Sequence, residues 1–169
     1  MFGLVGLMPD YSMIIVGANM GVSRMTKEHL GISLALKVPI FIVITKIDIA
    51  PPNIYEETKE TLIKILKSSG CQRMPVLIKP EDDVSVFATS LASDKICPIF
   101  SVSNVNGQGI PKLKEFLSML NSRIAISGHF KTANDPVEFL IDGVYSVVGV
   151  GLVVAGTLKS GTVVPNTVL

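Results

Sequence analysis

The sequence is poor in charged residues and in metal-binding side chains. Only 17% of its 169 residues are charged, the formal net charge is +1, and there are two cysteines and two histidines. So small a net charge gives no global indication of a nucleic-acid-binding or membrane-binding surface. Two cysteines without a spacing signature predict free thiols in a reducing, cytoplasmic compartment, and with His29 and His129 they form no metal constellation. We therefore expect no metal ligands in this chain.

The sequence also lacks a membrane segment. Residues 1–8 are apolar, but they have no basic flank and are followed by Pro9-Asp10. This stretch is too short for a membrane span and is a poor signal peptide, so we interpret residues 2–8 as the end of a helix and expect no membrane partner.

Apolar residues are abundant, at 48% of the chain, which favours strands buried on both faces. Thr26 and Asn53 are the predicted N-caps of two helices. The alternation of patterns predicts a parallel sheet flanked by helices, and so an α/β fold. Strands are predicted at residues 13–18, 40–44, 74–78 and 96–101, and helices at 26–38, 53–67, within 81–95 and at 110–120.

The pattern changes after Asn121. Residues 122–135 form a polar linker without periodicity, and from residue 136 onward only strand signals occur. Two apolar strands separated by a glycine-rich turn predict the opening hairpin of an all-β domain. The predicted domains are therefore 1–121, the linker 122–135, and 136–169.

The most informative stretch is Thr45-Lys46-Ile47-Asp48, which ends an apolar β-branched run. A carboxylate at this strand end can accept hydrogen bonds from the ring N1–H and the 2-amino group of guanine. Adenine has a lone pair at N1, which a carboxylate repels, so one Asp can select between the two bases. The alternative is that Asp48 simply caps the next helix.

A second polar loop, Ser103-Asn104-Val105, follows the next predicted parallel strand of the core. Because ligands of open α/β sheets bind at the carboxyl ends of strands, both loops are expected to face one site. There the Ser103 hydroxyl can orient Asp48, the Asn104 N–H can donate to the guanine 6-oxygen, and Lys46 and Val105 can cover the two faces of the base. The alternative for this loop is an ordinary turn.

These motifs resemble those of translational GTPases related to elongation factor Tu and elongation factor 1-alpha. Thr45-Lys46-Ile47-Asp48 resembles the guanine-specificity box N-K-x-D, and Ser103-Asn104-Val105 resembles the second base-binding loop, S-A-x. Residues 25–30 resemble the T-[KR]-E-H-[LI] helix start, and residues 142–157 resemble the start of domain 2. Within this family the chain is most similar to the eukaryotic GTP-binding protein 1 and 2 group.

The resemblance implies the C-terminal half of a P-loop GTPase G domain, followed by the first strands of a β-barrel. It implies binding of GTP or GDP with Mg²⁺, GTP hydrolysis by the parent protein, and the ribosome or aminoacyl-tRNA as partner. It also assigns guanine binding to six residues: Thr45, Lys46, Asp48, Ser103, Asn104 and Val105.

The sequence departs from the family pattern at two places. Thr45 stands where most members have Asn, which predicts a weaker hold on the base. The phosphate-loop motif G-x-x-x-x-G-K-[ST] is absent, so we expect no catalytic residue in this chain and an exposed apolar edge at residues 42–44. The alternative function is a non-catalytic interaction module derived from a GTPase domain.

Overall fold

The computed structural model describes residues 9–91, 93–122 and 134–166. The chain divides into two compact units, one of which is Asp10–Asn121, whereas the other contains the C-terminal strands. The helix predicted at residues 2–8 and most of the predicted linker lie outside the described residues. The predicted domain boundaries stay predictions.

The first unit is an α/β structure with four parallel strands. The strand order is β1-β2-β4-β3, and every neighbouring pair is parallel. The predicted parallel sheet flanked by helices is thus confirmed, including the short third strand. The elements are β1 (Ser12–Gly17), α1 (Arg24–Ala35), β2 (Ile40–Thr45), α2 (Pro52–Lys67), β3 (Met74–Leu77), α3 (Val84–Leu91), β4 (Ile96–Ser101) and α4 (Ile110–Ser118).

Strand β2 lies at the centre of the sheet and is buried on both faces. Ile42 and Ile44 face one core, which they share with α1 and α2, whereas Phe41 and Val43 face a second core with α3 and α4. Because both faces are covered, the strand is continuously apolar and does not alternate. The expected exposure of residues 42–44 is wrong, since β2 pairs with β1 on one side and β4 on the other, and Ile42 is only 1% exposed.

Both predicted helix caps are displaced. The N-cap of α1 is Ser23, whose Oγ accepts a hydrogen bond from the N–H of Thr26 at 3.1 Å. Thr26 therefore lies inside the first turn. Helix α2 begins at Pro52, one residue before Asn53, because a fixed proline φ suits the first helical position.

An ion pair joins the segments that precede β3 and β4, at one side of the sheet. Arg73, whose side chain is only 10% exposed, bonds Asp94 just before β4. The hydrogen bond that Arg73 donates to the carboxylate of Asp94 raises the pKa of Arg73 above its ordinary value. In the same region Cys71 and Cys97 are buried free thiols.

The second unit contains an antiparallel hairpin formed by β5 (Glu138–Val147) and β6 (Gly151–Ser160). Gly149 in the turn and Gly151 at the start of β6 have φ of +82° and +100°, which suits glycine. Both predicted strands are confirmed. Val144 and Tyr145, which are adjacent and so face opposite sides, are 60% and 57% exposed. None of the helices in the described ranges has the length and apolarity needed to cross a membrane.

Candidate functional site

The two predicted base-binding loops begin at neighbouring positions on one edge of the sheet. In the parallel pairing of β2 with β4, Ile44 is the register partner of Ser101. The N–H of Val102 then donates to the carbonyl of Ile44 at 2.8 Å, which extends the pairing to the end of both strands. Residues 45–48 and 103–105 therefore leave the sheet side by side, at its carboxyl edge.

The first loop is a tight turn whose charged side chains are exposed. Thr45 Oγ1 donates to the carbonyl of Val16 in β1 at 3.4 Å, so this hydroxyl braces the strand end. Lys46 has φ of +60°, and the N–H of Ile49 donates to its carbonyl at 3.4 Å. Lys46 and Asp48 are both exposed, and within the described residues neither forms an ion pair.

The second loop is organised around the buried side chain of Ser103, which has no exposed surface. Its Oγ accepts hydrogen bonds from the N–H groups of Val105 at 3.2 Å and Asn106 at 3.4 Å. Its N–H donates to the carbonyl of Gln108 at 3.0 Å, and its carbonyl accepts from the N–H of Gly107 at 3.1 Å. Both bonds to Oγ use the hydroxyl as an acceptor, so its proton stays free to donate.

The hydrogen bond expected from Ser103 to Asp48 is not formed among the described residues. Val105 is 85% exposed at the top of its loop, where an apolar side chain gains from being covered by a flat ring. The N–H of Asn104 takes part in none of the hydrogen bonds that shape the loop. The edge therefore offers a carboxylate acceptor, a backbone donor, an apolar surface and a lysine stem.

Two supporting contacts escaped the sequence analysis. Gly109 has φ of +72°, and a Cβ added there would lie 2.2 Å from the carbonyl oxygen of Ser101, so only glycine fits. Tyr55 of α2 donates its hydroxyl to Ser101 Oγ at 2.8 Å. The Gly107-x-Gly109 spacing is a usable signal for the first contact, whereas the second depends on packing that no local pattern reveals.

The loops do not offer a donor set for Mg²⁺. Asp48 is the one carboxylate within residues 45–48 and 103–105. In the described ranges, no three His, Cys, Asp or Glu side chains are grouped so that they could hold a metal ion. Mg²⁺ prefers octahedral coordination by oxygen atoms, and a single exposed carboxylate does not supply it.

Comparisons with known proteins identify the family of this chain. The family model described as the elongation factor Tu GTP binding domain matches residues 6–125. GTP-binding protein 1 of Xenopus laevis is 48% identical over 168 residues, which cover 99% of this chain and 25% of that protein. GTP-binding protein 2 of Homo sapiens is 41% identical over 161 residues, covering 95% of this chain and 27% of that protein. The chain thus spans about a quarter of the length of these relatives.

Solved structures show the same fold. The apo form of translation elongation factor SelB from Methanococcus maripaludis superposes with a TM-score of 0.56 at 23% identity, covering 90% of this chain and 27% of that chain. GDP-bound aIF5B from Aeropyrum pernix gives a TM-score of 0.54 at 20% identity, over 90% of this chain and 27% of that chain. The match of the family model over most of the sequence, and the identity with GTP-binding protein 1, show that the chain belongs to the family of the elongation factor Tu GTP-binding domain.

Proposed function

We propose that this chain recognises the guanine base of a guanine nucleotide at the carboxyl edge of its parallel sheet. The observation that carries the proposal is the meeting of two polar loops at the paired ends of β2 and β4. The residues that we assign to this site are Thr45, Lys46, Asp48, Ser103, Asn104 and Val105.

Asp48 is the specificity residue in this proposal. Its exposed carboxylate has no ion-pair partner among the described residues, so it can accept from guanine N1–H and the 2-amino group together. Hydrogen bonds that involve a charged group contribute about 1.5–3 kcal/mol each. Adenine would place its N1 lone pair against the same carboxylate, and this repulsion adds to the lost hydrogen bonds.

The second loop reads the other edge of the base. The N–H of Asn104 donates to the carbonyl oxygen at position 6 of guanine. Adenine carries an amino group at that position, which cannot accept this hydrogen bond. Ser103 holds the loop in shape through its bonds to Val105 and Asn106, and its free proton can reach a carboxylate brought closer by the base. Exposed Val105 and the stem of Lys46 cover the two ring faces.

Thr45 acts indirectly. Its hydroxyl bonds the carbonyl of Val16, so it fixes the end of β2 against β1 and does not meet the base. We infer that Thr45 positions Lys46 and Asp48.

For the whole protein we propose a cytoplasmic GTPase of the translation-factor type, acting on the ribosome or on aminoacyl-tRNA. The support is the family match together with the identity to GTP-binding proteins 1 and 2, of which this chain spans about a quarter. Mg²⁺ would supply charge stabilisation at the phosphates, and its ligands are not among the loops described above.

Amide-detected NMR titration of the ¹⁵N-labelled chain tests base recognition. Guanosine monophosphate is added in one series and adenosine monophosphate in a matched series, so that the phosphate contribution is the same. We expect shifts at residues 45–48 and 103–107 that are larger and saturate earlier with the guanine nucleotide. Equal responses to both nucleotides, or shifts confined to other residues, would contradict the proposal.

A further inference from the structure

The side chain of Tyr55 joins the two segments that carry the base-binding loops. Tyr55 lies in the first turn of α2, and its hydroxyl donates to Ser101 Oγ, at the end of β4, at 2.8 Å. Helix α2 begins at Pro52, shortly after Asp48 of the first loop, whereas Ser101 lies just before Ser103 of the second loop. One hydrogen bond therefore connects the segment that follows the first loop with the segment that precedes the second.

Ser101 is bonded on both sides of the first loop. In the pairing of β2 with β4 its register partner is Ile44, which lies just before that loop. Its side chain accepts the hydrogen bond from Tyr55, which lies beyond the loop in α2. The chain from residue 45 to residue 51 therefore leaves the sheet beside Ser101 and returns to it.

The first loop and the start of α2 pack on one core. Ile47, Ala50 and Tyr55 all contact the core that β2 shares with α1 and α2. Asp48 lies between Ile47 and Ala50 in the sequence, so its carboxylate projects from a segment that is packed on both sides. A shift of the first turn of α2 would therefore move Asp48 as well.

The second loop also returns to Ser101. Gly109 follows this loop and lies against the carbonyl of Ser101, because a Cβ added at Gly109 would be 2.2 Å from that oxygen. Between these residues, the N–H of Ser103 donates to the carbonyl of Gln108 at 3.0 Å and closes the loop. Ser101 is thus a common attachment point of both loops, and Tyr55 bonds its side chain from α2.

The spacing of the two loops matters because the proposed site contacts one base from two sides. Asp48 accepts from N1–H and the 2-amino group of guanine, whereas the N–H of Asn104 donates to the 6-oxygen. Hydrogen bonds of this type have donor–acceptor distances of about 2.7–3.2 Å, so a shift of about 0.5 Å between the loops weakens one set of bonds. Adenine cannot form these bonds with both loops, so its binding depends less on their spacing.

We propose that Tyr55 is a positioning residue of the guanine site, and that its hydroxyl sets the spacing of Asp48 and Asn104 through Ser101. This inference rests on the proposed function, and Tyr55 itself belongs to neither loop. The aromatic ring makes a separate contact, because Lys59 Nζ lies 4.4 Å from its centroid. Tyr55→Phe therefore keeps the ring and removes only the hydrogen bond.

The first measurement needs no ligand. The amide signals of the ¹⁵N-labelled 169-residue chain are compared between the wild type and Tyr55→Phe. We expect the signals of both loops to shift, at residues 46–48 and 104–107. Changes confined to the immediate neighbours of positions 55 and 101 would overturn the proposal.

Titrations with guanosine monophosphate and adenosine monophosphate measure the effect on recognition. We expect Tyr55→Phe to weaken guanosine monophosphate binding by about three- to ten-fold. The apparent affinity falls with the fraction of molecules that keep the competent spacing, and one neutral hydrogen bond shifts that fraction by about this factor. Adenosine monophosphate affinity should change by less than about two-fold, so the ratio of the two affinities falls.

A second variant tests whether Tyr55 acts through Ser101. Ser101→Ala removes the acceptor of the same hydrogen bond and should cause the same loss of guanosine monophosphate affinity. The double variant should lose no more than either single variant, because both changes remove one bond. Additive losses in the double variant would contradict a role through this bond.

Tyr11→Phe is the matched control. The hydroxyl of Tyr11 donates to the carbonyl of Asn121, also at 2.8 Å, but Tyr11 precedes β1 and so lies at the amino edge of the sheet, away from the base-binding loops. This variant also loses a hydrogen bond from a tyrosine hydroxyl, and it should keep the wild-type ratio of the two affinities. An equal fall of the ratio in Tyr11→Phe and Tyr55→Phe would show a general loss of stability and overturn the proposal.

The titrations also separate this inference from the proposed function. A wild-type chain that binds both nucleotides equally would overturn the proposed function, and this inference with it. A wild-type preference for guanosine monophosphate that Tyr55→Phe retains in full would overturn the role of Tyr55 alone.

Discussion

The hydroxyl oxygen of Ser103 accepts a hydrogen bond from the backbone N–H of Val105 at 3.2 Å, and the Ser103 side chain has no exposed surface. A buried side chain thus fixes the backbone of an exposed loop. Val105 itself is 85% exposed, so its position depends on this internal brace more than on packing against its neighbours.

The first prediction follows from this brace. Ser103→Ala removes the acceptor for the N–H groups of Val105 and Asn106, and we expect the free energy of unfolding to fall by about 1–2 kcal/mol. Urea unfolding followed by circular dichroism measures the loss. Ser118→Ala is the control, because Ser118 Oγ only donates to the carbonyl of Glu115 at an exposed helix end, and it should change stability by less than about 0.5 kcal/mol. Equal losses in both variants would show that the brace is not significant.

The second prediction concerns base selection. In Asp48→Asn an amide replaces the carboxylate, so a donor faces the base where an acceptor stood before. The side-chain NH₂ of the new Asn then faces the 2-amino group of guanine, and two donors cannot form a hydrogen bond. The 2-oxygen of xanthine is an acceptor and can accept a hydrogen bond from this NH₂. We expect guanosine monophosphate affinity to fall by about 1.5–3 kcal/mol and xanthosine monophosphate affinity to rise.

Calorimetry or NMR titration with both nucleotides measures this exchange of preference. Asp142→Asn, an exposed carboxylate in β5, is the charge-matched control and should retain the preference for guanine. An unchanged guanine affinity in Asp48→Asn would mean that another group reads the base.

The third prediction tests the turn that leads into α4. In Gly109→Ala the added Cβ lies 2.2 Å from the carbonyl oxygen of Ser101, and the residue must hold φ near +72°. We expect the free energy of unfolding to fall by at least about 2 kcal/mol. Gly31→Ala is the contrasting control, because Gly31 is in α1 and its added Cβ meets nothing within 4 Å. This control should stabilise the chain by about 0.5–1 kcal/mol, and a neutral Gly109→Ala would contradict the close approach.

Much of the first unit could be predicted from the sequence, because its central strands are continuous apolar runs and its helices have an apolar face. The position of Asp48 and Ser103 at one edge of the sheet could also be predicted, because the carboxyl ends of parallel strands lie on the same side. The N-cap of α1 could not be predicted from the sequence, because Ser23 and Thr26 are both good capping residues and the backbone conformation decides between them.

Contacts between residues that are distant in the sequence could not be predicted from local sequence patterns. The bond from Tyr55 to Ser101 and the ion pair of Arg73 with Asp94 join segments that are far apart in sequence, and their geometry depends on how the helices pack on the sheet. The burial of Asn19 Oδ1 is of the same kind, because only the structure shows that this oxygen is buried and receives no hydrogen bond from any described residue.

The fourth prediction concerns alkaline pH. Burial raises the pKa of the Cys97 thiol above its ordinary value of 9.0, with a smaller contribution from Cys71. The folded state therefore keeps the proton while the unfolded thiol loses it above pH 9.0, so this contribution to stability is complete below pH 9.0 and is lost as the pH rises further. Above that point the slope for one group is at most about 1.4 kcal/mol per pH unit.

Urea unfolding at pH 8 and pH 10 measures this dependence. Cys97→Ala should be less stable at both values, because it leaves a small cavity, but its stability should fall less between them. The same decline in wild type and variant would assign the pH dependence to other groups.

The last prediction is that the 169-residue chain neither binds GTP tightly nor hydrolyses it. The two loops contribute a few hydrogen bonds and two ring contacts, and this gain is largely offset by the entropy lost when a flexible triphosphate is immobilised. The phosphates need backbone N–H donors, a lysine and Mg²⁺, but the sequence contains no G-x-x-x-x-G-K-[ST] motif, and no group of three metal-binding side chains occurs in the described ranges. Without those groups the charge that develops on the phosphates in the transition state is not stabilised, so no rate enhancement is expected. Fluorescent-nucleotide titration and a phosphate-release assay measure both properties, with heat-denatured chain as the control. Submicromolar GTP affinity, or phosphate release above that control, would show that residues outside the two loops bind the phosphates.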